Sequence, residues 1–222
     1  RKASTKCFSV ILKTRPEKLQ HMYSSALPLV ISRIVKEREE NVKLDLMSTV
    51  VTALEQTAII SATEGDSRSS SSTIKKLTAL VPDIVKGLQK ELVGKSPKTK
   101  IGAFQLLRQL VKVVPDCLDS FVESFIPGLE QALEDKASSP LKIEALSFLK
   151  AYMAHKGAAT VFIPHIHKIL QPVLKSIVDP YYKINAESLR VLTEIVKVLS
   201  SPEGNNEAHL PAIYEATHNK LQ

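Results

Sequence analysis

An all-α solenoid of stacked helical hairpins is the fold class this sequence predicts. Three observations predict it: a helical composition, a spacing that recurs near 42 residues, and two amphipathic stretches within each recurrence. Glycine numbers 7 in 222 residues, Trp is absent and aromatics make up 5%, which disfavours turn-dense β architectures. The 44% hydrophobic content is enough for a packed interior. Basic residues Arg1, Lys43, Lys100, Lys142 and Lys183 each open an apolar-periodic stretch, at intervals of 42, 57, 42 and 41. Three residues after each comes Ser4, Leu46, Ala103, Ala145 or Ala186, and seven after each comes Phe8, Val50, Leu107, Leu149 or Arg190. In the last copy Leu189 and Val191 flank the expected apolar site.

Taken in chain order, the units are 1–15 (a second helix only), 16–60, 74–114, 116–155, 159–200 and 207–222 (a first helix only). The chain opens on Arg1 directly in periodic sequence, so a piece of a longer array is expected. Second helices are expected to begin at Asn41, Ser96-Pro97, Ser139-Pro140 and Asp179-Pro180, where a capping side chain stands and, in three cases, proline occupies the first turn. The core stripe of the 74–114 unit reads Ile101, Phe104, Leu107, Val111 and Val114. First helices read Ile74, Leu77, Val81, Ile84, Leu88 and Leu92, then Leu118, Phe121, Phe125, Leu129 and Leu133. They carry internal proline at Pro28, Pro82, Pro127, Pro164 and Pro172, each predicting a bend. A period near 42, with proline in the first helix and a basic residue opening the second, is the HEAT and armadillo pattern. Residues 61–73, rich in serine and poor in apolar side chains, are expected to be a flexible insert.

Chemistry finds little support. Gly94-Lys95-Ser96 resembles the end of a phosphate-binding loop, but Gln89 stands where the motif needs glycine, and a helix precedes it instead of a strand. Glycine there is better read as a helix terminator. His165 and His167 are two apart and diverge on a helix, so no metal site and no cofactor are expected. Cys7 and Cys117 cannot build a disulfide framework and read as small buried hydrophobes in a reducing compartment. No nucleophile elbow, zinc-protease motif or dinucleotide turn occurs, so the chain reads as non-enzymatic. No apolar run has the length of a membrane span. The net charge of +7 raises nucleic acid as a partner, yet the charges are interspersed and no block of like charge stands out, so it is disfavoured.

Several strings resemble one family of solenoids. Lys36-Glu-Arg-Glu-Glu-Asn-Val-Lys43 is similar to the inter-helix turn of the cullin-associated, neddylation-dissociated (CAND) exchange factors. So are Arg1-Lys-Ala-Ser-Thr-Lys-Cys7, Ile84-Val-Lys86 with Lys98-Thr-Lys100, Leu141-Lys-Ile-Glu-Ala-Leu-Ser147 and Asp179-Pro-Tyr-Tyr-Lys-Ile184, in the same order. The resemblance runs over essentially the whole chain, apart from the Ser-rich insert and the sequence after Ser200, and places it in the middle of that family's longer HEAT array. It implies a cytoplasmic and nuclear scaffold that wraps an unmodified cullin and its RING subunit, blocks conjugation of the ubiquitin-like modifier and promotes exchange of substrate-receptor adaptors. A transport-receptor-like or phosphatase-scaffold solenoid with another partner is the alternative.

Independently of the resemblance, partner contacts are expected from exposed polar positions on second helices and in turns. These are Arg38, Arg108, Lys112, Lys150, Arg190, Glu194 and Lys197, with Tyr181 and Tyr182 as amphipathic anchors. The lysines that open second helices are expected to bond to neighbouring repeats.

Overall fold

The computed structural model describes residues 2–64, 68–155, 157–200 and 207–221. Among them there is no strand; the elements are α1 (Lys2–Thr14), α2 (Leu19–Ser25), α3 (Leu27–Lys36), α4 (Glu40–Glu64), α5 (Arg68–Leu92), α6 (Pro97–Val113), α7 (Val122–Glu134), α8 (Ser139–Met153), α9 (Ala158–Phe162), α10 (Ile166–Ser176), α11 (Tyr182–Leu199) and α12 (Leu210–Leu221). The chain divides into two compact units, Arg1–Leu118 and Asp119–Gln222.

In the first unit α4 lies between α1 and α6 in one layer, and α2, α3 and α5 form the other. A helix with neighbours on several sides must be apolar on several sides, and α4 buries Val42, Leu46, Met47, Val50, Ala53 and Leu54 instead of presenting one stripe. It approaches α6 closely at Gly102, where an added Cβ would stand 3.1 Å from Met47 Sδ and 3.2 Å from Leu44 Cδ2. The α6 stripe is buried at Phe104, Leu107 and Val111, while Ile101 and Val114 at its ends are half-buried. On α5, Leu77, Val81, Ile84, Leu88 and Leu92 are buried against the same core. Tyr23 of α2 shares a hydrogen bond of 2.8 Å with Thr57 of α4, and burial pushes its phenol up to about 12, with that bond opposing.

In the second unit α7 pairs with α8 and α10 with α11; α8 and α11 share one layer, α7 and α10 the other. Its core concentrates aromatic rings. Phe125 stands edge-on to Phe148 at 5.3 Å and to Tyr152 at 5.4 Å, and Phe162 closes the cluster 5.9 Å from Tyr152.

The starts of the second helices follow the expected logic with shifted residues. At α6, Ser96 Oγ accepts a hydrogen bond from Thr99 N, and Pro97 opens the helix. At α8 the cap is Ser138, one residue before the expected Ser139, because Asp135 Oδ1 accepts hydrogen bonds from Ala137 N and Ser138 N and fixes the turn earlier. At α4 the helix starts at Glu40 and takes in Asn41; the turn is held by Glu37, whose Oε1 accepts from Arg38 N and Glu39 N. At α11 the helix begins at Tyr182, and Asp179 Oδ1 accepts from Tyr181 N in a local turn two residues upstream.

Three expectations are corrected. Pro82, Pro127 and Pro172 lie inside α5, α7 and α10, and at Pro28 the helical path runs on from α2 into α3, since Ala26 keeps helical dihedrals with Ala26 N bonded to Met22 O and Val30 N to Ala26 O, each at 3.0 Å; Pro164 instead lies in a short 3-10 turn, Ile163–His165. A missing N–H is tolerated in such a turn, so Pro164 separates α9 from α10 instead of bending one helix. Residues 61–64 and 68–73 of the expected flexible insert are helical, extending α4 and α5; 65–67 lie outside the described residues. Serine, threonine and alanine propagate a helix that is already nucleated, and the segment's end is anchored, with Thr73 buried and Ser72 Oγ accepting from Gln20 Nε2 at 2.8 Å. Cys7 is exposed and Cys117 half-buried, so neither is a core hydrophobe.

Truncation of Phe148, which is fully buried, to alanine is expected to cost about 3–5 kcal/mol in denaturant unfolding. The same truncation at Leu189, 37% exposed, is expected to cost less than about 1 kcal/mol.

Candidate partner-binding surface

The lysines that open the second helices are largely committed. Lys43 Nζ donates to Glu91 Oε1 at 2.6 Å, joining α4 to the end of α5, and Lys142 Nζ donates to Asp179 Oδ2 at 2.9 Å, joining α8 to the turn before α11. Both pairs are mostly screened from water, so each is held by charge-assisted bonding between successive hairpins. Lys100 is buried on α6. Lys183 departs from the set: it is exposed, and its ammonium stands 5.9 Å and 6.0 Å from the ring centroids of Tyr181 and Tyr182.

Of the expected contact residues, Arg38 is exposed in the α3–α4 turn, and α6 carries half-buried Arg108 and exposed Lys112. In the second unit, Lys150 on α8 and Arg190 on α11 are brought together through a residue that sequence reasoning missed. Glu187, buried, accepts from Lys150 Nζ at 2.5 Å and Ser147 Oγ at 3.1 Å on one oxygen, and from Arg190 Nη1 at 2.8 Å on the other. Arg190 remains 65% exposed at its side chain, so its outer face is open to a partner. Two turns further along α11, Lys197 Nζ donates to Glu194 Oε1 at 2.8 Å, and that lysine too is well exposed. Tyr181 and Tyr182 meet edge-to-face at 5.6 Å, and Tyr182 is 67% exposed, so it does not fill the seam between hairpins.

Burial pushes the Glu187 carboxyl up, but donation from Lys150, Arg190 and Ser147 outweighs it and holds the group below the ordinary glutamate range. Asp179 is likewise lowered: slight desolvation is outweighed by the Tyr181 N–H and by Lys142. Among the described residues no group of three or more His, Cys, Asp or Glu side chains is arranged to hold a metal, and no helix is long and apolar enough to cross a membrane. Ser96 of the Gly94-Lys95-Ser96 string caps α6 and donates to Glu40 Oε2 at 2.7 Å, which accounts for it structurally.

Comparison with known proteins agrees with this architecture. Residues 116–222 match the family described as CAND1-like, TPR repeats. Over 201 residues, 90% of the chain, it is 45% identical to cullin-associated NEDD8-dissociated protein 1 of Arabidopsis thaliana; over 210 residues, 92% of the chain, it is 39% identical to the protein of that name from Drosophila melanogaster. The chain belongs to the cullin-associated NEDD8-dissociated family. It spans 16% and 17% of the length of those two relatives. Among solved structures it is similar to a designed armadillo repeat protein in complex with a (KR)4 peptide, at a TM-score of 0.64 and 15% identity, covering 99% of this chain and 90% of that one. An engineered protein is similar at a TM-score of 0.52 and 13% identity, covering 88% of this chain and 92% of that one. These likenesses establish the helical-repeat solenoid fold alone. The spacing of 41 and 42 residues between second helices exceeds the ~34 of a typical TPR and fits a HEAT or armadillo unit.

Because both carboxylates are lowered in the folded chain, the stability they confer is present above the ordinary carboxylate range near pH 4 and is lost as pH falls through their folded values. Glu187→Gln is expected to destabilise by about 1–2 kcal/mol at neutral pH, between an exposed pair and a buried one. Its deficit relative to the parent chain should shrink toward acid, as followed by denaturant melts across pH.

Proposed function

We propose that the chain is a segment of a non-catalytic HEAT-repeat scaffold that binds cullin–RING ubiquitin ligase cores. In this reading it promotes exchange of substrate-receptor adaptors and so regulates ligase assembly and neddylation, in the cytoplasm and nucleus. The observation that carries the reading is the 45% identity, sustained over 90% of the chain, to a protein whose name associates it with cullins. The geometry supports it. Glu187 and Asp179, the carboxylates drawn furthest from their ordinary behaviour, are tied to lysines of neighbouring hairpins and set up as structural links, not as acids or bases awaiting a substrate.

The contact residues of this reading are Arg38, Arg108, Lys112, Lys150, Tyr181, Tyr182, Arg190, Glu194 and Lys197. In the second unit, a rigid Lys150–Glu187–Arg190 cluster and the exposed Tyr181–Tyr182 pair offer a cationic spot and an aromatic anchor of the kind interfaces use. The partner is an unmodified cullin with its RING subunit.

Crosslinking and competition binding with an unmodified cullin–RING core, using the full-length protein, test the proposal. Crosslinks are expected at α8, α11 and the 179–182 turn, and Tyr182→Ala with Arg190→Glu should weaken binding by about 1–3 kcal/mol. Protection of the cullin from modifier conjugation should fall in parallel. A full-length protein that binds the core with no crosslink in this segment and no effect of these substitutions would remove the segment from the contact surface.

A further inference from the structure

The turn between α10 and α11 differs from the other turns that lead into second helices. Those read Glu37-Arg-Glu39, Val93-Gly-Lys-Ser96 and Asp135-Lys-Ala-Ser138, while this one reads Ile177-Val-Asp-Pro-Tyr181 and alone carries an aromatic side chain. Two hollows adjoin it within the second unit. The larger, of about 630 Å³, is walled by Leu133 and Glu134 of α7 and by Pro172 and Lys175 of α10. The smaller, of about 340 Å³, reaches Tyr181 and Ile184. Lys136, Lys142, Asp179 and Pro180 line both, so the two form one groove that meets at the Lys142–Asp179 pair. Its rim is apolar: Val178 is 70% exposed, Pro180 is exposed, and the edge-to-face pair of Tyr181 and Tyr182 stands beside them.

Hydrogen-bonding capacity along this groove is one-sided. Asp179 has Oδ1 on the Tyr181 N–H and Oδ2 on Lys142, and Asp135 Oδ1 holds two amides of its own turn. Glu134 is the one lining carboxylate without a partner among the described residues. Against it stand two exposed ammonium groups, Lys136 and Lys175, and the Tyr182 hydroxyl, none of which has a hydrogen-bond partner among the described residues. An ammonium donates and cannot accept. A ligand suited to such a groove brings acceptors, asks for few in return, and lays apolar surface on the tyrosine rings. A proline-rich chain has these properties. Each proline lacks an N–H, the carbonyls of a polyproline helix are unbonded within the chain, the rings pack on aromatic faces, and the preformed helix has little conformational entropy to lose.

We infer that this groove docks an extended, proline-rich peptide segment that carries carboxylates. Its prolines lie on Val178, Pro180, Tyr181 and Tyr182, and its carboxylates meet Lys136 and Lys175 in charge-assisted hydrogen bonds. Single-stranded nucleic acid also brings acceptors and rings, but it fits less well. Residues 119–222 hold 10 basic against 12 acidic side chains, a balance that repels a polyanion, and Glu134 would face its phosphates. A short peptide with few carboxylates escapes that repulsion. The inference shares Tyr181 and Tyr182 with the proposed cullin contacts, yet it rests on the chemistry of the groove and not on that reading.

Fluorescence anisotropy of a labelled peptide of repeating Pro-Pro-Glu, titrated with the 222-residue chain at physiological salt, tests it. Saturable binding is expected, weakened about tenfold by Tyr182→Ala and several-fold by Lys136→Gln. The same changes on α12, Tyr214→Ala and Lys220→Gln, should each alter it less than about twofold. All four side chains are exposed, so unchanged helicity and melting are expected to accompany each variant. The inference is overturned if the peptide does not bind, or if the α12 changes weaken it as much as those at the groove. It is equally overturned if glycine in place of the peptide's prolines, or glutamine in place of its glutamates, leaves affinity intact, or if oligothymidine binds the chain more tightly than the peptide does. Cullin binding by the full-length protein without peptide binding sinks this inference alone, and peptide binding without cullin binding leaves it standing.

Discussion

A helical hairpin cannot bury two apolar faces by itself, and the organisation of this chain follows from that constraint. The long helix α4 is apolar toward α1, toward α6 and toward the first-helix layer at once, so it is stable only with neighbours on each of those sides. The same requirement recurs in the second unit, where α8 packs on both α7 and α11. Repetition of one packing problem produces repetition of one spacing, which is why basic residues recur at intervals of 41 and 42.

Burial alone does not fix how successive hairpins meet, because apolar surfaces slide. Directional contacts at the seams supply the register: Lys43 to Glu91, Lys142 to Asp179, and Lys150 to Glu187. Each joins residues that lie 37 to 48 positions apart in sequence and is shielded enough to be geometrically selective. These links also explain why so many ionisable side chains near the seams are poor candidates for chemistry. Their protons and charges are already assigned to holding the array together.

The sequence was legible where the physics is local. Amphipathic periodicity identified α6 through Phe104, Leu107 and Val111, and the Ser96-Pro97 cap was read directly because capping is decided within one turn. It was less legible where alternatives lie within a residue or two. Ser138 and Ser139 are chemically identical caps, and only the hold of Asp135 on the preceding amides decides between them. Pro28 bends a helical path that continues through Ala26, whereas Pro164 falls in a short 3-10 turn between α9 and α10, and proline's local effect alone does not tell the two apart. Residues 61–64 and 68–73 look like loop by composition and are helical because flanking helices extend into them. Glu187 was invisible for another reason: its role rests on Lys150 and Ser147, 37 and 40 residues away, and no spacing rule within α11 reaches that far.

That shared carboxylate has a consequence for recognition. Two long, many-rotamer cations are tethered to a single rigid anchor, so the freedom an arginine or lysine ordinarily forfeits on meeting a ligand has already been surrendered when the chain folds. The Arg190 guanidinium is aimed by Glu187 before any contact is made, its inner edge occupied and its outer edge bare to solvent. On the contact surface proposed above, such a fixed direction would make discrimination a matter of reach and angle, with little room for a misplaced anion to drag the side chain toward itself.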